Sequence, residues 1–226
     1  MTPPTASRPS VAGFPLGDYM TNCYVVTPGN PGETAGGPGP CWIADLGMSP
    51  GPLLEHLAGH DLVPEVVVLT HAHVDHIAGL FEFRSRYPGV PIWIHRAEER
   101  WLTDPALNLS AFAGVPVTAP EPDRLLDAGE TLELCGQPWR VLHTPGHSPG
   151  GITLVHDDSR QAIVGDALFN GSIGRTDFPG SDFGTLARAI RTQLYTLPDE
   201  TLVYPGHGPS TTIGDEKRHN PFVRPE

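Results

Sequence analysis

The segment Thr70-His-Ala-His-Val-Asp-His76 constrains this chain more than any other, because three histidines and an aspartate follow directly on the apolar run Glu65-Val-Val-Val-Leu-Thr70. A continuous run of β-branched residues reads as a strand buried on both faces. Alternate residues of an extended chain point to one side, so His71 and His73 can reach a single ion. Asp75 and His76, at the turn into the next helix, can face a second ion nearby. A mixed imidazole and carboxylate set suits zinc, iron or manganese better than calcium, which prefers oxygen alone. Taken singly, Asp75 would pass for a helix N-cap and one histidine for a core residue; four such residues in this order are hard to explain that way.

Four side chains do not close two coordination spheres, and three later segments offer the rest. His147 lies in the glycine-rich turn Thr144-Pro-Gly-His-Ser-Pro-Gly-Gly151, where backbone can come close to a metal. Asp166 follows the apolar run Ala162-Ile-Val164, at a strand end where a carboxylate could bridge two cations. His207 closes Tyr204-Pro-Gly-His207. Any one of these could be an ordinary turn residue. Together they share a feature, since each stands where a strand gives way to a loop.

The rest of the chain reads as one domain over 11–226 behind a loose, Pro/Thr/Ser-rich tail over 1–10. Strands are expected over Asn22–Thr27, Cys41–Asp45, Glu65–Thr70, Pro91–His95, Thr131–Cys135, Trp139–Leu142, Ile152–Val155, Gln161–Val164 and Thr201–Tyr204. The Gly/Pro segment Pro28–Pro40 reads as a mobile edge loop rather than a flap over the site. Helices are expected over Pro52–Gly59, over Ile77–Tyr87, and around Leu186, Ile190 and Leu194, the last capped by Ser181 and Asp182. Many strands with interleaved helices favour an α/β architecture of sheet on sheet with helices outside.

Composition narrows the partners. The net charge is −12, with thirteen arginines and one lysine and no basic run to follow a phosphate backbone, so nucleic acid is not an expected partner. Cys23, Cys41 and Cys135 form no CxxC or CxxH pattern and read as small hydrophobes in strands. No apolar run reaches the ~20 residues a membrane-crossing helix needs, and no signal-like segment opens the chain, so the expected location is cytoplasmic. Nothing in the pattern speaks to oligomeric state.

The motifs THAHVDH, TPGHSPGG, GDALF and YPGHG, in this order and with Asp45 ending an early strand, resemble the metallo-β-lactamase superfamily and, within it, the short glyoxalase II-like branch. The likeness runs from about Tyr19 to Phe222. It implies an αββα sandwich holding two divalent metal ions, zinc foremost with iron and manganese as alternatives. One ion would sit on His71, His73 and His147, the other on Asp75, His76 and His207, with Asp166 bridging. The implied activity is that of a hydroxyacylglutathione hydrolase: a metal-activated water, oriented by the catalytic Asp75, attacks the thioester of a small-molecule substrate. The short branch lacks the helical substrate domain of the larger enzymes, which leaves recognition of the thiol open. Asp166, where one class of lactam-cleaving members carries cysteine, argues against antibiotic hydrolysis, and His73, where flavodiiron proteins have glutamate, argues against their electron-transfer site. Two alternatives stay open: a mononuclear iron persulfide dioxygenase on the equivalents of His71, His147 and Asp166, and a non-catalytic binding module on the same scaffold. Arg175, Lys217 and Arg218 are weaker candidates for a carboxylate on the thiol carrier, and His143 for support of His147.

Overall fold

In the computed structural model, residues 8–29, 38–112 and 114–225 are described. Alternation of apolar side chains builds the fold. In β1 (Ser10–Leu16), β2 (Thr21–Thr27), β3 (Gly39–Ala44), β4 (Leu62–Val68), β5 (Ile92–His95) and β6 (Arg124–Leu126), successive side chains serve opposite faces of one six-stranded sheet, ordered as numbered. Val25, Ile43 and Val67 enter an outer core with α1 (Gly51–Gly59) and with α3, described below, whereas Tyr24, Val26, Trp42, Ala44, Val66 and Val68 enter the layer between two sheets.

The second sheet contributes the facing half of that layer. It comprises β7 (Thr131–Leu134), β8 (Gln137–His143), β9 (Ile152–His156) and β10 (Gln161–Gly165), and, after the small hairpin of β11 (Leu168–Phe169) and β12 (Ser172–Ile173), β13 (Leu202–Pro205) and β14 (Thr211–Thr212). Its order is β14-β13-β10-β9-β8-β7. Trp42 of the first sheet meets Trp139 of the second edge to face, with ring centroids 5.0 Å apart, an arrangement contributing about 0.5–1.5 kcal/mol beyond the area it buries. On the outer face of the second sheet, Val155, Ala162, Val164 and Val203 pack with Leu186, Ile190, Leu194 and Ile213 of the later helices. The result is the αββα sandwich expected from the sequence.

Three local differences from expectation have physical causes. Ser10 already pairs with Thr27 as the first residue of β1, so the proposed tail over 1–10 is too long by at least that residue; residues 1–7, and 30–37 of the proposed mobile loop, lie outside the described residues. The helix expected over Ile77–Tyr87 is shortened to α3 (Leu80–Arg86), and a separate helical turn, α2 (Val74–Ile77), precedes it. The backbone after β3 separates the two, with Leu46 N–H donating to the His76 carbonyl at 2.8 Å and Gly79 N–H donating to the Leu46 carbonyl at 2.9 Å. Finally, α4 (Phe183–Ala189), capped as foreseen by Asp182 accepting from Thr185 N, passes into a π-helical turn, and an unforeseen α5 (Ile213–His219) follows β14. The signals of α5 are ordinary ones: Thr212 accepts from Asp215 N, acidic residues fill the first turn and basic ones the last.

Candidate metal centre

Parallel pairing collects the chemistry at one edge. Gly165 pairs with Pro205 where β10 and β13 run parallel, so Asp166 and His207, one and two residues beyond those strands, emerge side by side. On the facing sheet β3 and β4 are also parallel, which places Asp45 next to the loop Thr70–His76. His147 comes from the connection between β8 and β9. This edge tolerates no bulk at two glycines: a β-carbon on Gly206 would overlap Asp166 Oδ1, and Gly146, at φ 128°, lies against the backbone of Leu186.

All seven side chains expected at the site are brought together. His76 Nε2 is 3.5 Å from Asp75 Oδ2 and 3.4 Å from Asp166 Oδ1. Asp166 Oδ2 is 3.4 Å from His147 Nε2 and 3.5 Å from His207 Nε2, and His207 Nε2 is 3.1 Å from Asp75 Oδ2. The His71 ring lies 4.0 Å from that of His76, 4.7 Å from His73 and 4.9 Å from His147. Two donors each ~2.1 Å from a tetrahedral cation lie ~3.4 Å apart, so most of these separations are those of ligands sharing an ion. His73 Nδ1 and His147 Nε2, at 2.8 Å, are closer, and a cation between them would spread them by roughly half an ångström.

Outer hydrogen bonds fix which nitrogen faces the cluster. His76 Nδ1 donates to Asp45 Oδ2 at 2.8 Å, His147 Nδ1 to the Arg175 carbonyl at 2.8 Å, and His207 Nδ1 to the Tyr19 carbonyl at 3.1 Å. Asp45 also accepts the Thr70 amide and hydroxyl, each at 2.7 Å, and that hydroxyl oxygen lies 3.2 Å from His71 Nδ1. Each arrangement turns Nε2 of His71, His76, His147 and His207 toward the cluster, the nitrogen that would bind a cation once any proton on it has left, which is the pattern by which proteins orient imidazole ligands. His73 is reversed, presenting Nδ1.

The fit to cations rests on atoms that otherwise have no partner. His71 Nε2 is buried and makes no hydrogen bond, a cost of about 1–3 kcal/mol that coordination would remove, and His76 Nε2 and Asp166 Oδ1, buried 3.4 Å apart, face the same space. Three overlapping sets could hold an ion: His71, His73 and His147; His71, His76 and Asp166; and Asp75, His76 and His207.

Charge is divided unevenly across the cluster. Burial, reinforced by neighbouring imidazoles, holds His71 well below the usual histidine range and pushes His73 down to about 3; burial also lowers His147. Burial opposes charge on His76 too, but Asp75, Asp45 and Asp166 outweigh it and hold its pKa well above the usual value. The same competition, settled by hydrogen bonds to Asp166 and Asp75, raises His207 to about 9. In return Asp75, despite its burial, is drawn down to about 2 by His76, His207 and Thr21, and Asp166 falls well below the usual carboxylate range.

Three supporting residues were not singled out from the sequence. Thr21 Oγ1 donates to Asp75 Oδ2 at 2.8 Å, and Thr70 links Asp45 to His71. Glu98, fully buried, accepts the amide of Ala72 at 2.6 Å and that of Gly150 at 2.7 Å, tying the loop of His71 and His73 to the loop of His147. One of two adjacent glutamates among surface-like neighbours in Arg96-Ala-Glu-Glu-Arg100 gives no sequence signal of that task. Of the weaker candidates, Lys217 pairs with Asp199, and Arg218 with Asp215 and Asp199. His143 stacks on His95 at 4.3 Å and donates to the Pro149 carbonyl, bracing the His147 loop from outside.

A cleft of about 530 Å3 opens onto Asp75, His73, His147, Asp166 and His207. Its remaining walls include Tyr19, Leu109, Phe112, Phe169 and Phe178, with Arg175.

Comparison with known proteins agrees with this architecture. The family model described as the metallo-beta-lactamase superfamily matches residues 16–207. The chain is 39% identical over 183 residues to hydroxyacylglutathione hydrolase GloC of Haemophilus influenzae, covering 80% of this chain and 86% of the relative. A crystal structure described as the BLEG-1 B3 metallo-beta-lactamase is 38% identical with a TM-score of 0.87, covering 95% of this chain and 99% of the other. A crystal structure of TTHA1623 in a di-iron-bound form is 36% identical with a TM-score of 0.78, covering 94% and 100%. Among the described residues, no helix is long and apolar enough to cross a membrane.

Proposed function

Because this chain belongs to the metallo-β-lactamase superfamily, we propose that it is a metal-dependent hydrolase of thioesters between a hydroxyacyl group and a low-molecular-weight thiol. The observation that carries the reading is the convergence of His71, His73, Asp75, His76, His147, Asp166 and His207 at the floor of an open cleft. The likeness to a hydroxyacylglutathione hydrolase supports the choice of ester.

In this reading His71, His73 and His147 would hold one divalent cation and Asp75, His76 and His207 the other, with Asp166 placed between the two sets. Such a pair supplies Lewis acidity toward a carbonyl oxygen and lowers the pKa of water. Zinc is the first expectation, and the same donors accept iron or manganese. Asp75, held in place by Thr21, orients the attacking water with its carboxylate. Asp45, the Arg175 carbonyl and the Tyr19 carbonyl keep the imidazole lone pairs aimed and their protons turned outward. A thiol leaves readily as thiolate near neutral pH, so no side chain is needed to protonate it.

The experiment is turnover of S-lactoylglutathione and of thioesters on other thiols by purified, metal-loaded protein, with Asp166→Ala and His147→Ala as controls. Hydrolysis that both variants abolish is expected; no hydrolysis of any thioester by the wild type removes the reading. The likeness to a B3 metallo-beta-lactamase favours β-lactam hydrolysis as a second reading, against the expectation drawn from Asp166. A chromogenic cephalosporin in the same assay decides, and a kcat/KM above that for every thioester would transfer the assignment.

A further inference from the structure

The cleft walls bear on which thiol carrier the proposed thioester uses, and this step rests on that reading. Beyond the metal-centre residues, the walls are aromatic and aliphatic: Tyr19, Leu109, Phe112, Phe169, Phe178 and Pro179. Phe112 is 73% exposed and Tyr19 53% exposed, a large apolar area held at the mouth with nothing covering it among the described residues. Apolar surface left open at a site contributes when a ligand buries it.

Cationic side chains outside the metal centre are the scarce element. Apart from His207, which belongs to the metal centre, Arg175 is the one cationic side chain on the walls among the described residues. It is already committed, with both Nε and Nη2 donating at 2.9 Å to the two oxygens of Asp177 and its guanidinium lying 4.2 Å over the Phe178 ring. A bidentate guanidinium–carboxylate pair occupies one donor edge of the arginine and cancels its charge locally, which weakens its pull on a ligand's carboxylate. The whole chain carries a net charge of −12, which opposes the approach of an anion. An acyl-glutathione brings two carboxylates and one ammonium, and outside the metal centre these walls offer its carboxylates only a guanidinium already paired with Asp177.

We infer that the thiol carrier of the substrate is uncharged, and that apolar surface on the substrate lying against Phe112 and Phe178 is what the cleft recognises. With the carbonyl at the floor of the cleft, the aromatic walls take the apolar part, and the carrier needs no ionic anchor.

The test compares lactoyl and phenylacetyl esters of glutathione with the same acyl groups on N-acetylcysteamine, an uncharged thiol, using metal-loaded protein. With either acyl group, kcat/KM is expected to be about tenfold higher on the uncharged carrier, and added salt should narrow the gap by screening repulsion of the glutathione ester. Phe112→Ala and Phe178→Ala are expected to raise KM for the phenylacetyl ester by about tenfold with much less effect on the lactoyl ester. Arg175→Gln should move the ratio between carriers by less than about twofold. A preference for the glutathione esters, or their selective loss in Arg175→Gln, overturns the inference. If no ester turns over, the thioester reading has failed, and calorimetric titration of the metal-loaded protein with glutathione and with benzyl mercaptan still decides about the cleft: tighter binding of the uncharged thiol supports the inference, and tighter glutathione overturns it.

Discussion

Three imidazoles on one side of the cluster, His71, His73 and His147, are held below the usual histidine pKa by burial, whereas His76 and His207 on the other side are held above it by Asp45, Asp75 and Asp166. The first group is ready to coordinate at neutral pH with nothing to shed. The second neutralises its carboxylates with protons when no cation does so, and must give those protons up to bind. On the proposed assignment, one protein edge offers two subsites whose affinities should depend on pH differently, joined by a carboxylate, Asp166, that lies close to both.

The join is the place to break this comparison. Asp166→Ala removes the group between His147, His76 and His207 and is expected to lower kcat/KM by about 1000-fold or more, with bound metal falling in both subsites. Loss confined to one subsite by elemental analysis would show that the two are independent. Next in size are two supporting carboxylates. Glu98→Gln, which strands one of two backbone amides in the loops of His71, His73 and His147, should weaken metal binding about 10- to 100-fold, chiefly at the first subsite. Asp45→Asn, at the His76 ring, should do the same chiefly at the second. Equal effects of both variants on both ions would merge the subsites into one.

Smaller signals sharpen the contrast. Metal entering the first subsite near pH 7 should release almost no protons, and metal entering the second should release close to two, from His76 and His207; calorimetry in buffers of different ionisation enthalpy reads the difference. The smallest effect concerns stability without metal. The folded-state pKa of His207, about 9, lies above its ordinary 6.5, so its contribution is fully present below pH 6.5 and is lost as pH rises through about 9. The Tm gap between metal-free wild type and His207→Gln should accordingly be widest below pH 6.5 and close above pH 9. A gap that widens with rising pH would show that the charge on His207 is not what stabilises it.

Much of this was legible in the sequence because the strand-end chemistry is local. A buried run leading into Thr70–His76, and single ligating residues after strands at His147, Asp166 and His207, expose both sheet rhythm and site in the linear chain. What could not be read is what acts across the fold. Thr21 reaches Asp75 across 54 residues and Glu98 reaches Gly150 across 52, and neither sits in a pattern that singles it out. The break between α2 and α3 was hidden for the same reason, since the carbonyl that claims Gly79 belongs to Leu46. The interdigitation of Trp42 with Trp139 likewise depends on two sheets meeting, and sequence alternation indicates the faces without saying which faces meet.

Metal stoichiometry tests the central claim most directly. Metal-free protein dialysed to equilibrium against increasing zinc, manganese or iron and then measured by elemental analysis should saturate at two ions per chain, in two steps, with the second step shifting to higher metal concentration as pH is lowered. Saturation at a single ion with every metal, a mononuclear iron centre included, would contradict the account.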